Sequence, residues 1–408
     1  MEKVHSVFTD MRAGFQDIVF ISNSSALYPT KSVLRHLREK VVDDDKKYIL
    51  LTPTMNVPFP DSEFKVCGYL EEEVKLRVKH EDDTFRGKTT NVFTSLRQDY
   101  ESGRIVCASV DLWELLMSLD MLEQSGADKI YINYFYQIGQ RQHKKRIHES
   151  FTAALTLRLA QTSSGGPHIL RNVRIIHPHN ETSPGFLHGT KVDDYMPIAP
   201  ATLYFRNHRK YRDRKFVTVG TDAGSLKFNE YLAEAMNAEG TIGIFKDREK
   251  AKKPVSVIST GHQYIRDDVV YLFGDDIIST GDTVVNAKRC IESILNKRNG
   301  DKNIRNITCC AFITNGCFNT DTANRMRKEN IHVVCSDTIY RSEKYLKENA
   351  DWLSVYSLGY FISDLIICNV LKKGTGMILG EHLKDAQKSI PDLGSILISD
   401  NAYDLMRV

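Results

Sequence analysis

The sequence predicts an α/β protein in which two mostly parallel sheets, one in each half of the chain, are flanked by helices. Short apolar runs such as DIVFIS and VVYLFGDD alternate with longer segments of helical period. A length of 408 residues with 41% hydrophobic content is enough for two domains with separate cores. The stretch YMPIAPAT at 195–202 contains two prolines and indicates a break between two α/β halves.

Ten apolar runs, rich in β-branched and aromatic residues, predict strands. In chain order they are DIVFIS, KYILL, RIVCASV, KIYINYF, VRIIH, KFVTVG, TIGIF, VVYLFGDD, ITCCAFIT and IHVVCSD. Between them, apolar residues recur with helical spacing, which predicts helices over 30–40, 112–124, 147–161, 226–238, 283–295 and 322–329. We therefore predict domains at 15–200 and 201–383, and leave the tail, 384–408, unassigned. Each half contains a strand that leads into a polar Gly turn and then a helix, but this similarity is too loose to establish a repeat from the sequence alone.

Charge and cysteine usage exclude several classes of protein. The formal net charge is only +3, and basic residues are scattered among acids, so we expect neither nucleic acid nor membrane as a partner. A basic run at 206–215 is interpreted as a solvated surface. Eight cysteines include no CxxC pair, which argues against a zinc cluster and favours reduced thiols. The amino-terminal residues carry no apolar signal segment, so the expected location is the cytoplasm.

The segment VVYLFGDDIISTGDTVVNAKRC combines an apolar strand, two acids and a hydroxyl-rich turn that opens an amphipathic helix. Backbone N–H groups at a helix start, with the hydroxyls of Ser279, Thr280 and Thr283, are suited to donate to a phosphate. Asp275 and Asp276 can accept hydrogen bonds from ribose hydroxyls or hold Mg²⁺. The alternative is an ordinary strand-turn-helix unit with capping threonines and exposed acids.

This segment resembles the phosphoribosyl pyrophosphate loop that type I phosphoribosyltransferases share with the ribose-phosphate diphosphokinases, also called phosphoribosyl pyrophosphate synthetases. Two further motifs favour the diphosphokinases. GTDAGSLK resembles their SPDAGGxK turn, which implies that Asp222 lies near the metal and the ribose. IFKDREK resembles the start of their catalytic loop, which implies that Lys246 and Arg248 stabilise the transferring diphosphoryl group. The match to the family's loop implies that Gly281 also binds the phosphate.

The ATP side of the resemblance lies in the first half. GQRQHKKR resembles the family's ARQDKK, HPHNETSPGFLHG resembles DLHASQIQGFF, and YLEEEVKLRV resembles the flag region FSxxE. Residues matched to ATP contacts are Tyr69, Glu71, Glu73, Arg141, Gln142 and His179. His179 and Asp222 match the metal contacts, and the implied cofactor is Mg²⁺. No Walker A pattern occurs in the sequence, so ATP binding would depend on the site of this family.

The resemblance implies a fold of two tandem type I phosphoribosyltransferase-like domains and a Mg²⁺-dependent diphosphotransferase. The β,γ-diphosphoryl group of ATP would move to the anomeric 1-hydroxyl of a 5-phosphorylated ribosyl acceptor, releasing AMP. Because the flag region completes the ATP site of a neighbouring subunit in this family, a homo-oligomer is expected, built from dimers, with the family's hexamer as the larger form. Two alternatives remain: a phosphoribosyltransferase that uses such a product, and a non-catalytic regulatory homologue.

The phosphate loop departs from the family at Asp282. The family reads DDMIDTGGT where this chain reads DDIISTGDT, so a carboxylate replaces a glycine. A carboxylate a few Å from a phosphate dianion costs on the order of 1 to 4 kcal/mol. Asp282 would point outward as an acid at the helix start, sit beside an esterified phosphate with less charge, or accept from a larger substituent. The second and third alternatives favour ADP-ribose slightly over ribose 5-phosphate, and the product, ADP-ribose pyrophosphate, would serve to rebuild NAD⁺.

Overall fold

The computed structural model describes residues 15–40, 51–58, 64–68, 85–97, 108–142, 144, 147–180, 182–247, 255–298 and 307–370. Their strands form two sheets of seven. The first sheet contains β1 Ile18–Ser22, β2 Leu51–Pro58, β3 Phe64–Gly68, β4 Thr89–Thr94, β5 Lys129–Tyr134, β6 Leu170–Ile176 and β7 Lys191–Tyr195. The second contains β8 Phe216–Gly220, β9 Gly240–Asp247, β10 Val255–Thr260, β11 Val270–Ile278, β12 Thr308–Gly316, β13 Ile331–Ser336 and β14 Leu353–Tyr356.

The two sheets have the same strand order. The first runs β3-β2-β1-β4-β5-β6-β7 and the second β10-β9-β8-β11-β12-β13-β14. In each, the third strand along the chain pairs antiparallel with the second, and the other pairings are parallel. The loose similarity between the halves in the sequence therefore reflects a duplicated topology. The predicted fold of two tandem, mostly parallel α/β domains is confirmed.

Nine α-helices lie in the described residues and pack on these sheets. They are α1 Leu27–Lys40, α2 Ala108–Gln124, α3 Thr152–Ser163, α4 Ile198–Asn207, α5 Ala223–Met236, α6 Asp282–Arg298, α7 Thr322–Lys328, α8 Glu343–Glu348 and α9 Gly359–Val370. None of them is both long and apolar enough to cross a membrane. The predicted break at 195–202 falls on the end of β7 and the start of α4, which connects the two sheets.

Several sequence predictions of single elements were wrong. The run RIVCASV was predicted as a strand, but its last three residues, 108–110, open α2; its first four lie outside the described residues. The helix predicted from 147 begins only at Thr152, because the side chain of Ile147 is 86% exposed and has no core to face. Strands β3, β4, β7, β10 and β14 and helices α4, α8 and α9 were missed. The predicted strand KYILL shares only Leu51 with β2, and its first four residues lie outside the described ones. The central β4, TTNVFT, is rich in polar residues that are buried against its neighbours.

Buried polar contacts hold the two halves together. Lys40 at the end of α1 donates to Asp364 of α9 across 2.6 Å, and both side chains are largely buried. The hydroxyl of Ser95, after β4, donates to the backbone oxygen of Thr338, after β13. A buried charge pair is destabilising to break, because the remaining charge would be left without a partner. Ser95 and Thr338 directly follow β4 and β13, so their hydrogen bond holds the carboxyl ends of these two strands close to one another.

At the carboxyl end of β4, the first sheet carries an internal ion cluster. Glu114 of α2 accepts from the backbone and the hydroxyl of Ser24 and from Arg97, while Asp111 accepts from the Arg97 backbone at 2.7 Å. Asp111 and Glu114 are fully buried. Burial, only partly offset by Arg97, raises the pKa of Asp111 to about 6. At this edge of the first sheet, the hydrogen-bond donors of Ser24 and Arg97 are therefore bound by carboxylates of the chain itself.

The Asp111→Asn variant is expected to be more stable than the native protein at neutral pH. The difference in free energy of unfolding between the two proteins should become smaller as the pH is lowered. Since the folded pKa of about 6 lies above the unfolded value, Asp111 is stabilising when protonated, and that contribution is lost as pH rises from 4 through 6. The change in relative stability should reach about 3 kcal/mol at most. Chemical denaturation of both proteins between pH 4 and 7 measures it; a difference that does not change with pH would contradict the prediction.

Candidate active site

The loop at 279–281 lies between β11 and α6 and is braced from one side. Gly281 has φ +78°, which L-residues rarely adopt, and an added Cβ would lie 2.3 Å from the terminal methyl of Met326. The hydroxyl of Thr322 donates to the backbone oxygen of Ser279, and the N–H of Cys317 donates to that of Ile278 at 2.8 Å. These contacts place Thr283 and Val284 at the start of α6 beside a cavity, in the arrangement that binds phosphate, while the N–H of Asp282 donates to the Thr280 hydroxyl at 3.3 Å.

That cavity has a volume of about 440 Å³ and collects residues from both halves of the chain. From the first half come Arg141 and His179; from the second come residues of the turn after β8, of β9, of β11 and its loop, and of β12. Its lining includes nine of the residues singled out from the sequence: Arg141, His179, Asp222, Asp275, Asp276, Ser279, Thr280, Gly281 and Thr283. Motifs far apart in the sequence therefore meet in one site.

The two acids in the last part of β11, Asp275 and Asp276, differ in their surroundings. The carboxyl of Asp275 has its pKa raised well above the usual range, because it is buried and lies beside the negative charge of Asp276. Burial would also raise the pKa of Asp276, but the hydrogen bond and charge of His179 outweigh it and hold the pKa below its usual value. Asp276 is accordingly the ionised member of the pair.

One contact between the two halves inside the site is the pair His179–Asp276. Nδ1 of His179 lies 2.7 Å from Oδ2 of Asp276, and this hydrogen bond raises the pKa of His179 above its usual value. The backbone N–H of His179 is held by the buried side chain of Gln140 at 2.8 Å. Two residues earlier, His177 adopts φ +46° and its Nδ1 lies 2.5 Å from the hydroxyl of Thr314 on β12.

His177 was not picked out by sequence reasoning as a site residue. Burial lowers its pKa to about 4, so the ring is neutral at physiological pH. The ring also lies 4.4 Å from that of Phe228, between centroids. The contact between His177 and Thr314 could not be predicted from the sequence HPH, because Thr314 lies far away in the chain.

Asp222 opens α5 as its N-cap. Its Oδ1 accepts from the N–H of Ser225 at 2.8 Å, and the hydroxyl of Ser225 accepts from the Asp222 N–H at 3.0 Å. This capping box holds the carboxylate at the edge of the cavity. Thr221 and Phe245 also line the cavity, although neither was selected from the sequence.

Asp282 does not line the cavity, although it begins α6. The hydroxyl of Thr280 donates to its Oδ2 at 2.8 Å, and the guanidinium of Arg325 on α7 forms an ion pair with Oδ1. The Asp282 side chain is 60% exposed. Of the three alternatives for this residue, the contacts match the outward-pointing acid at a helix start, now with a cationic partner.

Other predicted residues lie elsewhere. Gln142 was expected to contact ATP, but its half-buried side chain donates to Glu149 at 2.9 Å and does not line the cavity. Lys246 lies on β9, and its side chain is outside the described residues. Arg248, Tyr69, Glu71 and Glu73 also lie outside them, so their roles stay predictions.

Two mostly parallel sheets with the same strand order, and a phosphate-type loop after β11 where the halves meet, give the fold expected of tandem type I phosphoribosyltransferase-like domains. The chain is similar to a ribose-phosphate pyrophosphokinase of Mycoplasmopsis pulmonis, strain UAB CTIP. The two are 24% identical over 278 residues, which are 68% of this chain and 79% of the relative. No family model matches the sequence.

Among solved structures, the phosphoribosylpyrophosphate synthetase of Mycobacterium smegmatis matches with a TM-score of 0.64 and 20% identity. The match covers 88% of this chain and 100% of the synthetase. At that identity it supports the fold. Together, these findings confirm the resemblance to the ribose-phosphate diphosphokinase family that the motifs predicted.

Proposed function

We propose that the protein is an ATP-dependent diphosphotransferase that acts on a 5-phosphorylated ribosyl acceptor. The observation that carries the proposal is the single cavity in which the phosphate loop of β11 meets Arg141 and His179 from the other half. A transfer between two phosphorylated substrates requires both to be held in line, and a site built from two domains suits that requirement. A phosphoribosyltransferase would use the same loop but would have no role for an ATP side.

In the proposed reaction, the anomeric oxygen of the acceptor attacks the β-phosphorus of ATP. A new P–O bond forms, the bond between the β-phosphorus and the α,β-bridging oxygen breaks, AMP leaves, and the hydroxyl proton passes to solvent or to a basic group. Asp275 and Asp276 would hold the ribose hydroxyls, and Ser279, Thr280, Gly281 and Thr283 would bind the 5-phosphate. Lys246 and Arg248 would neutralise charge on the transferring group, with Arg141 and His179 on ATP.

The side chains present are compatible with the implied Mg²⁺. The described residues contain no group of three or more His, Cys, Asp or Glu side chains placed to hold a metal by themselves. Mg²⁺ is commonly bound through one or two carboxylates together with substrate phosphates, so a preformed cage is not required. Asp222 and Asp276 supply oxygens at the cavity, with His179 beside them, and the ion would neutralise phosphate charge there.

Ribose 5-phosphate is the first candidate for the acceptor. Its dianionic phosphate would be repelled by an unpaired Asp282, but the ion pair with Arg325 offsets that charge. The main reason for expecting ADP-ribose is thereby weakened. ADP-ribose remains the second candidate because Asp282 still accepts the Thr280 hydroxyl, which removes one donor from the phosphate loop. The phosphate on the ribose of ADP-ribose is joined to a second phosphate and carries one negative charge, so the loop has less charge to stabilise there than with a dianionic monoester.

The assay supplies ATP and Mg²⁺ with ribose 5-phosphate or ADP-ribose in separate reactions and measures AMP. We expect AMP release with ribose 5-phosphate at least equal to that with ADP-ribose, and none without an acceptor. Faster release with ADP-ribose would reverse the order of the two. If a folded protein that binds ATP released no AMP with either acceptor, the proposal would be wrong and the non-catalytic homologue would be favoured.

We also propose a cytoplasmic homo-oligomer, built from dimers, in which the flag residues Tyr69, Glu71 and Glu73 reach the ATP site of a neighbour. The support is the motif resemblance, since these residues lie outside the described ones. The domain bounds of 15–200 and 201–383 also stay predictions.

A further inference from the structure

Arg325 lies on α7, beside the start of α6, and its guanidinium is the cationic partner of Asp282. The Arg325 side chain is 32% exposed and Asp282 is 60% exposed, so the pair lies at the rim of the loop, within reach of solvent. Thr280 joins them, because its hydroxyl donates to the second carboxylate oxygen of Asp282. Thr280 of the loop, the carboxylate of Asp282 and the guanidinium of Arg325 thus form one connected unit.

The charges of this unit bear directly on phosphate binding. Residues 279–283 carry one negative charge, that of Asp282, and no positive charge. A phosphate bound to the first N–H groups of α6 would therefore lie near a like charge. An exposed ion pair adds little to stability by itself, but its charges strongly affect a third charge a few Å away.

We propose that Arg325 is a specificity-determining residue: the counter-ion that allows this loop to hold a phosphate beside Asp282. The identity of the ligand rests on the proposed function above. Without Arg325, Asp282 repels the phosphate, and the dianionic monoester of ribose 5-phosphate is affected more than the singly charged phosphate on the ribose of ADP-ribose. Without Asp282, the guanidinium is released from its partner and is available to the phosphate.

The test is a double-mutant cycle with Arg325→Met, Asp282→Asn and both together. Methionine keeps much of the length of arginine, and asparagine keeps an oxygen that can accept from Thr280. Arg327→Met is the matched control, because Arg327 lies on the same helix and pairs with Asp351 at 2.6 Å, away from the cavity. Calorimetry measures the Kd of ribose 5-phosphate, ADP-ribose, inorganic phosphate and ATP for each protein.

We expect Arg325→Met to weaken ribose 5-phosphate binding about tenfold and ADP-ribose binding about threefold. Asp282→Asn in the same chain should restore the Kd to within about threefold of the native value, and ATP binding should not change. Asp282→Asn alone should bind ribose 5-phosphate more tightly than the native protein. Arg327→Met should match the native protein with every ligand.

Equal Kd values for native protein and Arg325→Met, or a double variant as weak as the single one, would overturn the role of Arg325. The same conclusion follows if the native protein binds none of the three phosphate probes, because the loop would then hold no phosphate. The proposed function fails separately: phosphate binding would depend on Arg325 as expected, but ATP and acceptor together would release no AMP.

Discussion

Lys246→Ala is expected to lower the rate of AMP release about 1000-fold or more while the Kd of ATP changes by less than about threefold. Phosphoryl-type transfer is catalysed mainly by positioning and by neutralising charge that develops on oxygen atoms, so a cation used in the transfer step contributes to kcat. The strand that carries Lys246 borders the cavity, since its neighbour Phe245 lines it. The resemblance to the catalytic loop supplies the role.

Single-turnover rates and ATP calorimetry separate the two effects. Lys297→Ala is the control, because this exposed lysine lies at the far end of α6 from the phosphate loop. A Lys246→Ala protein that turns over normally would remove Lys246 from the transfer step. One that cannot bind ATP would show that the lysine holds the substrate in the ground state instead.

Gly281→Val is expected to raise the KM for the acceptor about 100-fold or more, with little change in the Kd of ATP. A β-branched residue at φ +78° is strained by about 1 to 3 kcal/mol. Its Cβ would also collide with the terminal methyl of Met326, and such overpacking costs roughly 1 to 3 kcal/mol. The loop would have to shift, and its N–H groups would no longer converge on the phosphate.

Gly185→Val is the matched control, because an added Cβ at Gly185 meets nothing within 4 Å and the backbone is not left-handed. Steady-state kinetics with each substrate varied in turn, together with thermal unfolding, distinguish a damaged loop from a damaged fold. If Gly281→Val kept the native KM for the acceptor, the 279–283 loop would not be the phosphate site.

Sequence reasoning located the elements whose signals are local. The strand-turn-helix unit from Val270 to Arg298 was predicted within a few residues, because an apolar run, a Gly turn and helical periodicity lie next to one another in the chain. The strands that were missed have a different physical basis. Strand β4 gains its stability from pairing with β1 and β5 on either side, which no local pattern of apolar residues reports.

The same distinction applies to the site. The motifs around Asp222, Asp275 and His179 were predicted to belong together, and the structure places all three at one cavity. Gln142 was expected beside them, but it bonds to Glu149 on the surface, while Gln140 is the buried glutamine that holds His179. Neighbouring glutamines in one short loop look equivalent in sequence, and only the path of the backbone determines which one faces inward.

The sequence by itself determined the fold class, the phosphate-type loop and the chemical types of the groups around it, because these depend on residues close together in the chain. The tertiary structure alone decided how Asp282 behaves. Its charge looks unfavourable in the linear sequence, but α7 brings the guanidinium of Arg325 against it. Electrostatic interaction depends on distance in space, so the partner of a charge cannot be identified until the chain has folded.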